Sequence, residues 1–384
     1  MNVNIDFFDL LLKPEEFSNY YGEVKSKFSG AILYSSSKTT IQNKSKKENY
    51  VIHDIPNYLN TTPAPPNKLK ILSTYQGSLI KINKYNSYEE YLKNKFSVSR
   101  RYNFRTCKKR LETCFNISYK TYYGEMEKEE YDRLFKRFPK MIEERFNVLQ
   151  KEHYDLAVWD RYQKNGFSLI NKRKAVLFVI YDNDTPISIS FNPILEKVMY
   201  GFVRAFDINY SKFYLGFTDL NLQLQWCYKN KIEIFDLLKG TFPYKEKYID
   251  QHYSFQKHIV HHNALFSTTQ ALFYKYKTLI KYWIIKFLFK LKTSRFSTTY
   301  TFQKSGKTPD INENYEVQLT QKEIPKDYSK INTPIKNVLD LRSVYHFLYL
   351  SKEPFKTLEV YKHLSKDKYF LKGQKINGVL TRLE

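Results

Sequence analysis

Apolar and polar positions alternate with different periods along the chain, and the period changes mark the predicted elements. The first 85 residues read as a mixed, irregular lead-in, interrupted by the polar stretch Ser35 to Lys47 and the proline-bearing loop Thr61 to Pro66. Within it, β-branched and apolar residues over Ile71–Ile82 predict a strand. Ser87 is placed to cap a helix, with Glu90 at the capping-box position. From Glu127 to Gln150 the residues Tyr131, Leu134, Phe135, Phe138 and Ile142 fall on one helical face, with Pro139 a kink or break. A β meander follows: Ala175–Tyr181, a turn at Asp182-Asn183-Asp184, Pro186–Phe191, then a third strand over Lys197–Arg204. The spacing of Leu220, Leu224, Cys227 and Tyr228 predicts a helix over about Phe217–Lys229, closed by Asn230 in a left-handed conformation. A fourth strand, Ile232–Leu238, ends at Gly240.

Beyond Asp250 no acidic residue occurs until Asp310, while ten Lys or Arg do. Ile280, Trp283, Ile284, Phe287 and Leu291 form an apolar stripe on a helix there, flanked by Lys281 and Lys292 on one side and Lys286 and Lys290 on the other. Two readings fit that stripe: a surface helix docked on the body of the protein, or a helix lying in a membrane surface. From Ile311 the chain is polar and proline-interrupted, then mildly helical over Val338–Leu350. No internal repeat is visible. The boundaries are drawn at 1–85, 86–265 and 266–384.

Composition narrows the class. The chain of 384 residues is 42% hydrophobic and 17% aromatic, enough for a sizeable core, so wholesale disorder is excluded. Three cysteines, Cys107, Cys114 and Cys227, make neither a disulfide framework nor a zinc spacing. The net charge of +24 permits nucleic acid, anionic membrane or phosphate-bearing ligands as partners without choosing among them, and a codon bias toward Lys, Asn, Tyr and Phe accounts for part of it. Neither a secretory leader nor an 18-residue apolar run is found, which gives a cytoplasmic expectation, membrane-peripheral if the apolar stripe meets lipid. Ser305-Gly306-Lys307-Thr308 is rejected as a phosphate loop, because Thr301 stands where its first glycine belongs. His258, His261 and His262 can meet on one helical face, but with no acidic neighbour they are not read as metal ligands.

The chemistry is concentrated where the third strand hands over to a helix. A helix start fed by a short loop presents free N–H groups and the positive end of the dipole to a pyrophosphate. That loop runs Asp207 to Leu215 and is followed by Gly216. Ile234-Phe235-Asp236-Leu237-Leu238-Lys239-Gly240, then Pro243-Tyr244-Lys245, resembles the FDFLRG…YK signature of the CelD-like branch of the GNAT (acyl-CoA N-acyltransferase) superfamily, which is related to the Fem-type aminoacyl-tRNA transferases. Gly216 matches the glycine of that branch's SPG turn, the Arg-rich segment Arg100 to Leu111 its RR…L, and Arg145-Phe146 its RW. Tyr214-Leu215 replaces Ser-Pro, Lys239 replaces Arg, and Phe146 replaces Trp. The resemblance covers about residues 88–250.

It implies an α/β fold with a mixed, twisted sheet of the GNAT type, the N-terminal part being either a lead-in or a degenerate second copy in a tandem, and transfer of an acetyl group from acetyl-CoA, without a metal, to the amine of an amino sugar or glycan precursor. Asp236 would take the amine's proton, if apolar neighbours raise its pKa, or else cap the next turn. Tyr244 would protonate the departing thiolate and Lys245 would bind phosphate or oxyanion. Ser211, Lys212, Gly216, Phe217 and Arg204 would hold the cofactor, with N–H groups of Gly201–Arg204 polarising the carbonyl. Arg145, Arg101 and Gly240 would face the acceptor. Two alternatives stand beside this: an aminoacyl-tRNA-dependent transferase, whose tRNA would meet the excess positive charge, and a non-catalytic binder of nucleic acid or membrane surfaces.

Overall fold

The computed structural model describes residues 2–36, 49–148, 154–240, 243–290 and 314–383. The rejected phosphate-loop segment, Leu291, and most of the polar stretch after Ser35 lie outside the described residues.

Ten strands form one mixed sheet: β1 (Asn2–Asp6), β2 (Asn49–Pro56), β3 (Asn67–Lys81), β4 (Ile117–Tyr122), β5 (Ala175–Asp182), β6 (Thr185–Leu195), β7 (Val198–Tyr200), β8 (Val203–Phe206), β9 (Ile234–Lys239) and β10 (Gln251–His262). Their order is β1-β2-β10-β3-β9-β7-β6-β5-β4, with β8 hydrogen-bonded to β6. Helices α1 (Tyr88–Lys95), α2 (Val98–Cys114), α3 (Lys128–Val148), α4 (Trp159–Asn171), α5 (Leu215–Lys229), α6 (Pro243–Tyr248), α7 (Leu265–Lys290) and α8 (Leu341–Ser351) pack around it or on its satellites. β5 is buried on both faces, as its unbroken apolar run requires of a central strand.

The lead-in is far from irregular. β1, β2 and β3 lie in the same sheet as the signature strand β9, joined through the antiparallel pair β3–β9. β10 was not foreseen, and it sets the three histidines on a strand instead of a helical face. His258 Nδ1 lies 3.0 Å from the Tyr21 hydroxyl, inside the core. Ser87 caps α1 by accepting from the Glu90 N–H, but the Glu90 carboxylate reaches the Asn86 N–H, one residue short of a closed capping box. α3 runs unbroken through Pro139, because Tyr131, Leu134, Phe135, Phe138, Met141 and Ile142 are all buried. At ~1.5–3 kcal/mol per large apolar side chain, that face outweighs one lost backbone bond. The left-handed residue after α5 is Lys231 (φ 55°), not Asn230 (φ −101°). The C-terminal region holds a five-stranded antiparallel sheet that its polar composition concealed, and α8 packs Tyr345, Phe347 and Leu348 against Phe115, Tyr210 and Phe213.

The departure that matters most falls inside the expected third strand. β7 pairs with β9 in parallel as far as Tyr200 opposite Asp236, and the chain then leaves β9 and continues as β8 on β6 alone. Gly201 makes the break: its N–H donates to the Asp236 carbonyl at 2.7 Å, and a Cβ there would stand 3.2 Å from the Phe235 ring and 3.3 Å from that same carbonyl. A split therefore opens between β8 and β9.

Candidate active site

The chain passes from β8 through a 3-10 turn, Ile208–Phe213, to α5. Tyr214, left-handed at φ 53°, precedes the helix, and no side chain caps it. The first turn of α5 begins two residues earlier than its spacing predicted; its Phe217 N–H donates to the Tyr214 carbonyl at 2.9 Å, while its dipole and its lack of a side-chain cap suit an anion. Ser211 and Lys212 lie in the preceding turn, where the Ser211 carbonyl accepts from the Tyr214 N–H at 3.1 Å. Gly216 allows close packing: a Cβ would come within 3.3 Å of the Phe206 ring. Its carbonyl accepts from Arg204 Nη1 at 3.2 Å. Phe217 stacks on Tyr248, with ring centroids 6.3 Å apart and planes at 13°, and Arg100 lies 5.4 Å from its ring.

A cluster of cations gathers beside that helix start. Arg204 sits 5.5 Å from the Tyr244 ring, hydrogen-bonds its hydroxyl, and approaches Asp219 Oδ2 at 3.7 Å. Asp219 is fully buried and also accepts from Ser190 Oγ and Gln223 Nε2. Arg145, from α3, lies 4.3 Å over the Phe206 ring. Burial and the neighbouring Arg204 charge bring the Arg145 guanidinium down to about 10, against a small pull from Tyr244. Burial pushes the Tyr244 phenol up, but Arg204, Lys245 and Arg145 together outweigh it and leave the phenol below its ordinary value. Lys245 is buried and donates to the Leu237 and Lys239 carbonyls, each at 2.6 Å, closing the end of β9. Burial lowers its pKa, with Tyr244 and Asp236 opposing.

Asp236 feels this cluster only through the charge of Lys245. It is 0% exposed, and accepts from the Tyr58 hydroxyl at 2.6 Å, the Tyr253 hydroxyl at 2.7 and 2.9 Å, and the Leu238 N–H at 2.8 Å. Desolvation raises its pKa to about 6, against those hydrogen bonds and the charge of Lys245. The pKa is raised, as a base would need, but the carboxylate turns inward and ties the bulged end of β9 to Tyr58, in the turn after β2, and to Tyr253 of β10. The bulge places Leu238 at φ 59°, a conformation that costs ~1 kcal/mol or more. The Leu238 N–H bond to Asp236 Oδ1 holds it there.

Other expectations divide. The N–H groups proposed to polarise the carbonyl are engaged at two positions, Gly201 with the Asp236 carbonyl and Phe202 with Asn192 Oδ1 at 3.3 Å. Arg101 donates to the Phe96 carbonyl and takes no part in the cluster. Its neighbour Arg100 is the residue of α2 that reaches α5, because it shares the face of Phe104, Cys107 and Leu111, a helical spacing visible in the sequence. Gly240 adopts φ 95°, where only glycine is unstrained. Tyr58, Tyr253 and Asp219 went unforeseen; no motif marks them. Among the described residues no group of His, Cys, Asp and Glu could hold a metal ion, and no helix is long and apolar enough to cross a membrane. A hollow lined by Leu11, Phe17, Leu33 and Lys174 shares no residue with the cluster.

Residues 98–246 match the family model for an acetyltransferase (GNAT) domain. Comparison with curated proteins gives no match. Among solved structures, the chain is similar to FemX at 10% identity and a TM-score of 0.39, covering 55% of this chain and 71% of that one. It is similar to the L-PGS of Bacillus licheniformis at 10% identity and a TM-score of 0.35, over 58% and 71% of the two chains. A conserved protein of unknown function from Bacteroides thetaiotaomicron gives 9% identity and a TM-score of 0.37, over 56% and 70%. These likenesses are distant and say nothing of substrate. The matched segment contains β8, β9, the start of α5 and all four of Arg145, Arg204, Tyr244 and Lys245, so this chain carries a GNAT acetyltransferase domain and is an acyltransferase.

Proposed function

We propose that the protein transfers an acetyl group from acetyl-CoA to the amine of an amino sugar or glycan precursor. The observation that carries this reading is the gathering of Arg145, Arg204, Tyr244 and Lys245 where the chain leaves β9 between β7 and β8, beside the start of α5, which has no side-chain cap. On this reading the donor's pyrophosphate meets the first turn of α5, with Ser211, Lys212 and Gly216 at its margin, Phe217 packing beneath, and Arg204 supplying charge. The amine attacks the thioester carbonyl, the carbon–sulfur bond breaks, and the amine's proton leaves to water. Tyr244 gives its proton to the departing thiolate, which a phenol made more acidic by three cations does more readily, and the phenolate then takes back from water the proton the amine released. Arg145 orients the anionic part of either substrate, and Arg100 replaces Arg101 in the expected role. Lys245 and Asp236 act as positioning residues, fixing the two sides of the strained end of β9. The amino-sugar class of the acceptor rests on the likeness of Phe235–Gly240 and Tyr244-Lys245 to the CelD-like branch.

Thermal unfolding with and without CoA tests the donor, and thiol release from acetyl-CoA with a panel of amines tests the acceptor. A ligand at a hundred times its Kd stabilises by ~2.7 kcal/mol, which reads as a clear rise in Tm. Absence of any rise at millimolar CoA would overturn the donor assignment. An aminoacyl-tRNA donor is the second reading, favoured by the net charge of +24 and the exposed Arg105 and Lys109 of α2. Steeply salt-dependent tRNA binding together with indifference to CoA would select it.

A further inference from the structure

Helix α7 turns its polar side inward and its apolar side outward. Ser267, Ala271 and Thr278 are buried against the sheet, where Ala271 meets Leu72 and Ile259 and the Ser267 carbonyl accepts from Asn49 Nδ2. Tyr282 packs edge-on against Tyr75, and Lys257 lies over the Tyr274 ring. The opposite arc carries Phe266 (64% exposed), Phe273 (72%), Ile280 (58%) and Phe287 (49%), spaced seven apart, with Tyr276, Trp283 (67%) and Ile284 beside them. These positions fall within roughly 100° of the helix surface. Trp283 and Phe287 stack with centroids 5.6 Å apart. Lys277 and Lys281 border the arc on one side and Lys275 on the other. Of the two readings of the stripe, the docked one does not hold for its described part, Ile280 to Phe287, which faces away from the body; the helix docks through its small and hydroxyl-bearing residues.

We propose that this face of α7 lies in the interfacial layer of an anionic lipid bilayer, holding the protein peripherally at a membrane surface. The inference is independent of the acetyl-transfer reading, since none of these residues belongs to the cluster around Tyr244. Charge selects the occupant. Residues 251–309 contain no Asp or Glu, and the whole chain carries +24, so an anionic surface answers the lysines that border the apolar arc. A second copy of the chain cannot do so: apposing two such faces would set lysine rows against each other with no acid between them. Nucleic acid would meet the lysines but leave seven large apolar side chains without a partner. The geometry also fits, because the buried arc of α7 lies opposite the exposed one, leaving the sheet on the aqueous side. Aromatic and lysine side chains of this kind favour the headgroup boundary, and a helix carrying Lys275, Lys277 and Lys281 is an in-plane element, not a spanning one.

The test is co-sedimentation of the full chain with phosphatidylcholine vesicles and with vesicles containing phosphatidylglycerol, followed in parallel by tryptophan emission. Binding to the phosphatidylglycerol vesicles is expected, with a blue shift from Trp283. The double variant Trp283→Ser, Phe287→Ser should lose affinity by roughly tenfold or more. Lys277→Gln with Lys281→Gln should also bind about tenfold more weakly, by an amount that shrinks in salt. All four side chains are exposed, so urea unfolding and acetyl transfer should match the wild type and exclude misfolding as the cause. The proposal fails if the wild type stays in the supernatant with phosphatidylglycerol, or if the aromatic variant sediments as the wild type does. It also fails if sedimentation equilibrium without lipid shows a dimer that Trp283→Ser dissolves, which would assign the face to a second copy.

Discussion

Replacing Asp236 by Asn removes one ionisable group from the core while keeping its shape. In the wild type this carboxyl is raised from 3.8 to about 6 in the folded state, chiefly by burial. A raised acid stabilises the fold only while protonated. Its contribution is fully present below the unfolded pKa near 3.8 and is lost as pH rises through the folded pKa near 6. At 1.36 kcal/mol per unit, the whole effect is about 3 kcal/mol, of which about 2 falls between about pH 4.5 and 7. The amide cannot ionise, so the variant lacks that slope. Its NH2 group must face one of the acceptors' former donors, and the Tyr58 or Tyr253 hydroxyl can rotate to accept from it at a loss of ~1 kcal/mol. Asp6, also raised to about 6 by burial, titrates in both proteins and cancels in the difference. Urea unfolding across this range is the assay. The stability of the wild type relative to Asp236→Asn should fall by about 2 kcal/mol from the acid to the neutral end. Parallel curves would refute the claim that this carboxylate is held desolvated. The same variant separates the roles of Asp236: acetyl transfer within a few-fold of wild type fits a positioning residue, whereas a loss on the order of a thousandfold with CoA binding intact would restore it as a base.

Tyr244→Phe should lower kcat by about ten- to a hundredfold and change its pH profile, while the stabilisation by CoA persists; an unchanged profile would remove the phenol from proton transfer. Arg204→Ala leaves the buried Asp219 without its cation and should destabilise by ~3 kcal/mol in urea unfolding as well as weakening CoA binding, with Arg204→Lys recovering part of the stability. Gly216→Val crowds the Phe206 ring at the start of α5 and should cost ~1–2 kcal/mol together with CoA affinity, read by thermal shift. Gly77→Ala places a methyl against the Tyr253 ring, displacing a donor of Asp236, and should destabilise by ~2–4 kcal/mol at neutral pH and by less in acid.

Several of these features were legible in one dimension. The one-faced spacing of Tyr131 through Ile142, the apolar run Ala175–Tyr181 and the glycine at 240 each depend on a local rule, helical period, burial on both faces of a strand or positive φ, and each is realised. The stripe on α7 was visible for the same reason, although which way it faces was not. Where local signals conflicted with distant ones they failed. The strand predicted over Ile71–Ile82 is realised within β3, but the rest of residues 1–85 and residues 251–262 read as irregular or helical because their strands are completed by partners far along the chain, β1 with β2 and β10 with β3.

The site divides in the same way. Order and spacing from Arg100 to Lys245 identified the acetyltransferase segment and brought Arg145, Arg204, Tyr244 and Lys245 into view, since a motif is by nature a sequence property. The inward turn of Asp236 depends on Tyr58, in the turn after β2, and on Tyr253 of β10; both come from outside that segment and reach it because β2, β10 and β3 assemble in order alongside β9. A side chain's type is fixed by its codon. Its solvation and its charge state are fixed by whatever the tertiary structure packs around it, and for a carboxylate that environment decides between a base and a buried tie.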